Sequence, residues 1–348
     1  MMELEHILAA ASAGRASDIH ITAGAPVMLR VHGRLVPHGE RPLTEQDTAR
    51  LAEALLSEQG RQAFAASGDL DLAYRSPAGQ RCRVNVFRQR GGTGLTVRLV
   101  PEALPELGQL GLPAAAARLA ERSQGLVLVT GPTGSGKTTT LAALVHAINE
   151  RRSCHIVTLE DPIEFEHRHK RSIVNQREIG RDTASFAAGL RAALRQDPDV
   201  LLIGELRDLE TIATAVTAAE TGHLVFATLH TADAAQTIDR IIDVFPPQGQ
   251  QQIRVQLAAV LAGVIAQRLL PTVGGGGRVA ACEIMVNTPA IANLIRTDKV
   301  HQIRSIIQTG RHSGMQTMEQ ALRELVRQGL VTEEQARQAV GETADLSG

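Results

Sequence analysis

Residues 131–138 read Gly131-Pro132-Thr133-Gly134-Ser135-Gly136-Lys137-Thr138, and this stretch decides the fold of the chain around it. An apolar run from Leu126 to Thr130 leads into it, and residues 139–145 continue it with a helical pattern. Strand, glycine loop and helix, in that order, are the context that a phosphate-binding loop requires. Glycines let the backbone turn successive N–H groups toward an anion, and the helix N-terminus adds its positive end at the same point. The stretch therefore predicts a site for nucleotide phosphates.

The residues of this phosphate loop have distinct expected tasks. Lys137 would reach the β- and γ-phosphates of ATP, and the Thr138 hydroxyl would hold Mg²⁺. The expected cofactors are therefore ATP and Mg²⁺. The residues expected to contact the nucleotide are Gly131, Pro132, Thr133, Gly134, Ser135, Gly136, Lys137, Thr138 and Thr139.

From residue 114 onward, short apolar strands alternate with helices. The predicted strands cover residues 126–130, 155–160, 200–204 and 224–229, and the predicted helices cover residues 138–149, 185–196, 209–221 and 233–245. Such alternation is typical of an α/β domain, with a parallel sheet covered on both faces and ligands at the carboxyl ends of the strands.

Carboxylates follow two of these strands. Glu160 and Glu164 come at and just past the end of one, and Glu205 follows another. Asp199 begins the strand that Glu205 follows. At ~3.3 Å per residue the two residues are about 20 Å apart, so they cannot face one phosphate. Gly204 stands where many phosphate-loop NTPases have a metal-holding aspartate. We therefore expect Thr138, phosphate oxygens and water-bridged Glu160 and Glu205 to hold Mg²⁺, which leaves Glu205 free to orient or deprotonate the attacking water.

Two histidines bracket the strand at residues 224–229. His230 lies at its carboxyl end, where an imidazole can hydrogen-bond a γ-phosphate or report its loss. His223 lies at the opposite end and is the weaker candidate. A lone histidine is more often structural, so both interpretations of these side chains stay open.

The N-terminal third has a different pattern. A short helix is predicted at residues 4–12 and a longer one at 44–64, whereas residues 18–22, 27–32 and 69–74 alternate apolar and polar residues as half-buried antiparallel strands do. Residues 1–100 thus form a small predicted α+β domain. Prolines and glycines over residues 101–113 predict a linker, and residues 114–348 form the predicted ATPase domain with a C-terminal helical region.

The last two strands of this domain carry paired arginines. Residues 81–89 and 94–100 alternate, with a turn predicted near Arg90 and Gly91. That turn places Arg83 opposite or diagonal to Arg98, where like charges cost up to about 1 kcal/mol. A bridging triphosphate would remove this cost, but two solvated arginines that point apart fit the pattern equally.

Composition narrows the classes of function. The formal charge of −1 favours neither a nucleic-acid nor an anionic-membrane surface. Cys82, Cys154 and Cys282 lie far apart without zinc spacing, which favours a reducing, cytoplasmic setting. We expect no signal peptide, since acidic residues interrupt residues 1–20, and no direct membrane insertion, since no apolar run approaches the ~20 residues that span a bilayer.

Several longer stretches resemble one family. They are Leu159-Glu160-Asp161-Pro162-Ile163-Glu164, Asn175-Gln176-Arg177-Glu178, residues 191–199, residues 204–212, residues 218–223 and Thr228-Leu229-His230-Thr231. Together with the phosphate loop they look like the Asp box, Walker B and His box of secretion-superfamily ATPases. They are most similar to the type IV pilus retraction (twitching motility, PilT) ATPases. The resemblance covers about residues 5 to 325.

This resemblance implies a homohexameric ring, each subunit with an N-terminal PAS-like domain and a C-terminal RecA-like domain. ATP would bind between the domains and power pilus retraction through an inner-membrane platform protein, at the cytoplasmic face of that membrane. In this family, arginines of the N-terminal domain complete the ATP site, and their motif positions fall on Arg83 and Arg98. Arg207 and Arg240 lie in matching segments too.

Residues 290–297 depart from the family pattern. The retraction signature of the family has an arginine and a final acid where this chain has Ala292 and Thr297. Related pilus-extension and type II secretion ATPases usually carry a four-cysteine zinc insertion, which this sequence lacks, and that disfavours an assembly motor. An accessory retraction ATPase and a nucleotide-gated structural ring subunit remain as alternatives; a DNA-translocating ring is disfavoured by the charge.

Overall fold

A computed structural model describes residues 4–14, 16–31, 33–100, 104, 106–275 and 277–340. Contacts divide the chain into two compact units, Met1–Ala103 and Leu104–Gly348. The linker over residues 101–113 stays a prediction, because residues 101–103 and 105 lie outside the described part. The described residues there include a 3-10 helix at Leu107–Leu110.

The first unit combines helices with an antiparallel sheet in the order β3-β2-β1-β6-β5-β4. Its elements are α1 (Leu4–Ala13), β1 (Ala16–Ile21), β2 (Val27–Val31), β3 (Arg34–His38), α2 (Glu45–Glu53), α3 (Glu58–Ser67), β4 (Asp69–Arg75), β5 (Arg81–Gln89) and β6 (Gly92–Val100). Its core lies between the apolar face of this sheet and the helices, with Ile7, Ile19, Val84 and Val97 almost completely buried. The predicted α+β character of the N-terminal third is confirmed.

Two details of this unit differ from the sequence prediction. The helix predicted over residues 44–64 is two helices, because the Ser57 hydroxyl accepts the Gly60 N–H and starts a new one at Glu58. Thr44 caps the first helix through a capping box with Asp47. Strand β3 was missed, since its residues are mostly exposed and give no alternating pattern.

The β5–β6 hairpin follows the prediction closely. Gln89 pairs with Gly92, so Arg90 and Gly91 form the turn, both with positive φ (48° and 85°). Such a two-residue turn matches the right-handed twist of the strands.

The second unit begins with α4 and contains the phosphate loop. Its elements are α4 (Ala114–Ala120), β7 (Gly125–Thr130), α5 (Lys137–Arg151), β8 (His155–Glu160), β9 (Ile173–Glu178), α6 (Phe186–Ala193), β10 (Val200–Ile203), α7 (Leu209–Glu220), β11 (Leu224–Leu229), α8 (Ala234–Asp243), α9 (Pro247–Val260), β12 (Leu261–Pro271), β13 (Arg278–Val286), α10 (Pro289–Arg296), α11 (Ile303–Thr309), α12 (Met318–Arg327) and α13 (Glu333–Val340). The strands and helices predicted from the alternating pattern are confirmed to within a few residues at each end.

The sheet of this unit has the order β13-β12-β7-β11-β10-β8-β9. All neighbouring pairs are parallel except β12 and β13. The predicted α/β class with a parallel sheet is therefore confirmed, with an antiparallel edge strand that was not foreseen. Strand β9 is a largely polar edge strand, and β12 follows α9 without a turn, so neither has a clear boundary signal in the sequence.

Apolar residues cover both faces of this sheet. One core cluster packs α6 to α11 against one face, and another packs α4 and α5 against the opposite face. Strands β7 and β11 are buried at every position, as expected for the centre of a doubly covered sheet. The carboxyl ends of β7, β8, β10 and β11 therefore meet at one edge, where the phosphate loop lies.

Within the described ranges, no helix combines the length and the apolar character needed to cross a bilayer.

Candidate nucleotide site

The phosphate loop connects β7 to α5. Gly131, Gly134 and Gly136 have φ of +140°, +78° and +88°, values that side chains disfavour. Gly136 is the N-cap of α5 and makes no side-chain cap, so the first N–H groups of this helix remain available. The loop thus offers a positive helix end to an anion.

Lys137 is folded back onto the loop. Its Nζ donates to the carbonyl oxygens of Gly131 at 2.8 Å and Pro132 at 3.1 Å, and the residue is buried. Burial lowers the pKa of Lys137, while the charge of Glu205 acts in the opposite direction. A phosphate bound at the loop would take the place of these carbonyl oxygens beside Lys137 Nζ. Its formal negative charge would favour the charged form of the Lys137 side chain.

The loop residues fit a nucleotide phosphate. The Ser135 and Thr130 hydroxyls are buried, and each lacks a hydrogen-bond partner within the described residues. Thr138 and Thr139 lie half-buried in the first turn of α5. Unpaired buried hydroxyls and an uncapped helix end are features that a phosphate and its metal ion would satisfy. Pro132 and Thr133 lie exposed on the loop.

Glu205 lies just beyond β10 in a cluster of charges. Its carboxylate oxygens lie 2.7 Å from Arg207 Nη2 and 3.5 Å from His230 Nε2. Burial raises the pKa of Glu205, but the hydrogen bond and charge of Arg207, with the charges of His230 and Lys137, outweigh it and lower the pKa. The predicted residues Lys137, Glu205 and His230 are therefore brought together, whereas the contact with Arg207 was not predicted.

Hydrogen bonds to β11 hold the segment that carries Glu205. The Thr228 hydroxyl donates to the Gly204 carbonyl, and Leu206 N–H donates to the Thr228 carbonyl at 3.0 Å. A Cβ at Gly204 would lie 3.2 Å from the Leu159 carbonyl oxygen and 3.4 Å from the Phe186 ring. A metal-binding aspartate would be crowded at this position, which gives a steric reason for the glycine.

Glu160 ends β8 and is almost fully buried. Its Oε1 accepts from the Thr158 hydroxyl at 2.6 Å and from Gln176 Nε2 at 3.0 Å. Gln176 lies on β9, and its Nε2 also donates to the Phe165 carbonyl at 2.8 Å, in the loop that connects β8 to β9. Glu160 is therefore oriented by Thr158, which sequence reasoning did not single out, and by Gln176, which lies in one of the stretches that resemble the family but was given no role. Glu164 lies half-buried in the connection between β8 and β9.

His223 lies at the opposite edge of the sheet from His230. Its Nδ1 bonds the Ala218 carbonyl at 2.8 Å, so the ring ties the strand to the end of α7. The six residues of β11 separate it from the edge that carries Glu205. The structure does not bring His223 to the candidate site.

The predicted pair Arg83 and Arg98 lies directly opposite in the β5–β6 register. Arg98 Nε donates to Asp18 Oδ1 at 2.8 Å, and its side chain remains mostly exposed. Burial raises the pKa of Asp18, but the hydrogen bonds from Arg98 and Ser17 outweigh it and lower the pKa. Asp18 thus offsets part of the repulsion between Arg83 and Arg98. The strand pattern in the sequence did not reveal this contact of Asp18. A role of the two arginines in nucleotide binding stays a prediction.

The described residues contain no group of three or more His, Cys, Asp or Glu side chains that could hold a metal ion. Burial lowers the pKa of His167 to about 4, so this ring is neutral at neutral pH.

Comparisons with known proteins find relatives that match nearly the whole chain. The chain is 48% identical to the type IV pilus retraction ATPase PilT of Pseudomonas aeruginosa, over 97% of this chain and 98% of that protein. It is 45% identical to a twitching motility protein of Neisseria gonorrhoeae, over 96% of this chain and 91% of that protein. A crystal structure of the pilus retraction motor PilT with bound ADP matches with a TM-score of 0.91 and 49% identity, covering 99% of this chain and 98% of that one. The model of the type II/IV secretion system protein family matches residues 2–275. The chain belongs to the type II/IV secretion system protein family.

Proposed function

We propose that this chain is an ATPase that powers the retraction of type IV pili. The observation that carries the proposal is the convergence of Lys137, Glu205 and His230 at the edge of the sheet where the phosphate loop lies. The names of its relatives, a pilus retraction ATPase and a twitching motility protein, supply the biological setting. The ADP in the similar crystal structure supports adenine nucleotide as the ligand.

The residues divide the work of hydrolysis. The N–H groups of the loop and Lys137 bind the phosphates. Thr138, with Glu160 and Glu205 acting through water, would hold Mg²⁺. When bound there, Mg²⁺ would supply positive charge against the phosphate oxygens. Glu205 orients the attacking water and accepts its proton. Arg207 lies 2.7 Å from Glu205, and its hydrogen bond and charge lower the pKa of Glu205, so opening of this contact would make the carboxylate a stronger base.

His230 lies beside Glu205 on the exposed side of the cluster. It is 44% exposed at the side chain, so its ring can turn toward a γ-phosphate without unpacking the core. We assign His230 the task of coupling the state of the γ-phosphate to the segment between β11 and α8.

The proposed assembly is a homohexamer that acts on an inner-membrane pilus platform protein at the cytoplasmic face of the membrane. Arg83 and Arg98 would complete the ATP site, as the resemblance to the family implies. The alternative of an accessory retraction ATPase shares all of these residues. Retraction restored by this chain alone, in a cell that lacks both motors, would exclude the accessory role.

The first test is an ATPase assay on the purified full-length chain together with a measurement of particle size. Lys137→Ala is expected to abolish nucleotide binding, because it removes the only side-chain cation recorded on the loop. Glu205→Gln should keep binding but lower kcat at least about 10²-fold, because the carboxylate that accepts the proton is lost.

Matched controls are available on the surface of the same unit. Lys170→Ala removes an exposed lysine that pairs with Glu150, and Glu220→Gln changes an exposed carboxylate at the end of α7. Both should leave turnover unchanged. Wild-type turnover in Glu205→Gln would remove Glu205 from the mechanism. A purified chain that binds ATP without turnover would favour the structural ring subunit.

A further inference from the structure

Gln267 is a buried amide beside the phosphate loop. It lies on β12, which runs parallel to β7, and its neighbour Ala266 pairs with Thr130, the last residue of β7. The strand is apolar and buried from Leu261 to Ala266, and Gln267 itself is only 2% exposed. A buried amide is costly unless both of its ends form hydrogen bonds.

Both ends of this amide are used. Its Nε2 donates to the Ser135 carbonyl at 2.5 Å, and its Oε1 accepts from the Thr140 hydroxyl at 2.9 Å. Ser135 belongs to the loop, and Thr140 lies in the first turn of α5. One side chain therefore connects the loop to the start of the helix that follows it.

The bond to Ser135 also sets the direction of the next N–H group. In a trans peptide unit the C=O and the following N–H point to opposite sides. Because the Ser135 carbonyl points at Gln267, the N–H of Gly136 points away from β12. Without Gln267, the Ser135 carbonyl and the Thr140 hydroxyl would lose these partners while buried, and the peptide unit would be free to rotate.

Two glycines of the loop pack against the same residue. A Cβ at Gly136 would lie 2.9 Å from Gln267 Nε2, and a Cβ at Gly131 would overlap the Gln267 carbonyl oxygen. The absence of side chains at these positions is what lets the loop lie directly on β12. The steric fit and the hydrogen bonds are independent observations of one close contact.

We infer that Gln267 is a positioning residue that holds the phosphate loop in its nucleotide-binding conformation. It acts through Ser135, Gly136 and Thr140, and within the described part of the chain its side chain forms no hydrogen bond with Glu205 or His230. This assignment rests on the proposed function, since it requires that the loop bind a nucleotide.

The test compares nucleotide binding by the full-length wild-type chain and by Gln267→Met, which keeps the length of the side chain but loses the amide. The Kd for ADP, measured by titration calorimetry because the chain has no tryptophan, should rise about tenfold. The KM for ATP should rise similarly while kcat stays within about threefold, because bound nucleotide and transition state lose the same support.

Gln316→Met is the matched control. Gln316 Nε2 donates to the Cys282 carbonyl at 2.7 Å, so it also anchors a strand of this sheet, but it has no recorded contact with the loop. It should lower thermal stability without changing the Kd for ADP. Equal Kd values in Gln267→Met and Gln316→Met would overturn the inference.

Thr140 gives a second, milder variant in case Gln267→Met does not fold. Thr140→Val removes the hydroxyl that bonds Gln267, and Thr140→Ser restores it. The Kd for ADP should rise in the first variant and return to the wild-type value in the second. Unchanged binding in both would contradict the inference.

These outcomes separate the inference from the proposed function. A wild-type chain that binds no ADP, or a Lys137→Ala variant that binds normally, would refute the nucleotide site and with it the task of Gln267. Normal wild-type binding with an unaffected Gln267→Met variant refutes the task of Gln267 alone.

Discussion

Glu283 is a buried carboxyl group on β13 that accepts a hydrogen bond from the first residue of each of two helices. Its Oε1 accepts a hydrogen bond from the Ala234 N–H at 2.9 Å, at the start of α8. The carboxyl group also accepts a hydrogen bond from the backbone of Met318, at the start of α12. Burial raises the pKa of Glu283 to about 7, and the charges of Asp233 and Glu319 act in the same direction. The two backbone hydrogen bonds oppose this shift but do not cancel it.

This raised pKa makes stability depend on pH. The folded state holds the proton of Glu283 up to about pH 7, whereas the unfolded chain releases it near 4.5, so wild-type stability should fall as pH rises between these values. Glu283→Gln removes this dependence. The difference in free energy of unfolding between wild type and variant should change by about 2 kcal/mol between pH 5 and pH 8.

Chemical unfolding followed by far-UV circular dichroism measures this difference, with Glu334→Gln on the exposed face of α13 as the control. A difference that stays constant over this pH range would show that Glu283 does not carry a raised pKa in the folded state.

At the scale of the element, the start of α5 depends on backbone freedom more than on side-chain capping. Gly136 is its N-cap, with φ of +88°, and bonds no side chain as a cap. By contrast, α2 and α12 begin with capping boxes built on Thr44 and Thr317. The helix that faces the proposed phosphates thus leaves its first N–H groups for the ligand.

Gly136→Ala and Gly134→Ala distinguish two free-energy costs at this helix start, that of a side chain on a left-handed backbone and that of steric overlap with β12. Both place a Cβ on a left-handed backbone, which costs about 1–2 kcal/mol. A Cβ at Gly134 meets nothing within 4 Å, whereas at Gly136 it would press on Gln267 and Leu269. We expect Gly136→Ala to lower the free energy of unfolding more than Gly134→Ala, by about 1–3 kcal/mol. Equal losses in urea unfolding would mean that the loop moves away from β12 without cost.

At the scale of the whole molecule, the chain consists of two units with separate cores, and the proposed motor needs both. The residues proposed to bind the nucleotide lie in the second unit, while Arg83 and Arg98 lie in the first. In the proposed motor, the first unit would be coupled to ATP hydrolysis through these two arginines.

Arg83→Gln and Arg98→Gln test this coupling. If both arginines complete the ATP site, each variant should lower kcat at least about tenfold, since a cation that stabilises transition-state charge is lost. ADP binding at the loop should change little. The control is Arg88→Gln. Arg88 lies on β5, as Arg83 does, and its guanidinium group stacks on the Phe64 ring. Wild-type turnover in Arg83→Gln and Arg98→Gln would confine the two arginines to the sheet of the first unit.

Local signals were sufficient for much of this protein. The phosphate loop, the parallel strands around it, the β5–β6 hairpin and the opposition of Arg83 and Arg98 all follow from glycine spacing and from periods of two or 3.6 residues. These signals act between residues that are close in the chain, so they can be recognised in the sequence. The same reasoning placed Glu205 and His230 at one edge of the sheet.

The contacts that orient these residues were decided by the tertiary structure alone. Gln267 meets Ser135 across 132 positions because β12 lies beside β7, and Arg98 meets Asp18 across 80 positions because β1 lies beside β6. Arg207 folds back onto Glu205 only through the shape of one turn. Strand order results from packing over the whole unit, and no local period records which strand will lie next to which. Local sequence patterns are therefore enough to predict a phosphate loop, whereas only the packing of the whole sheet brings distant side chains such as Gln267 into contact with it.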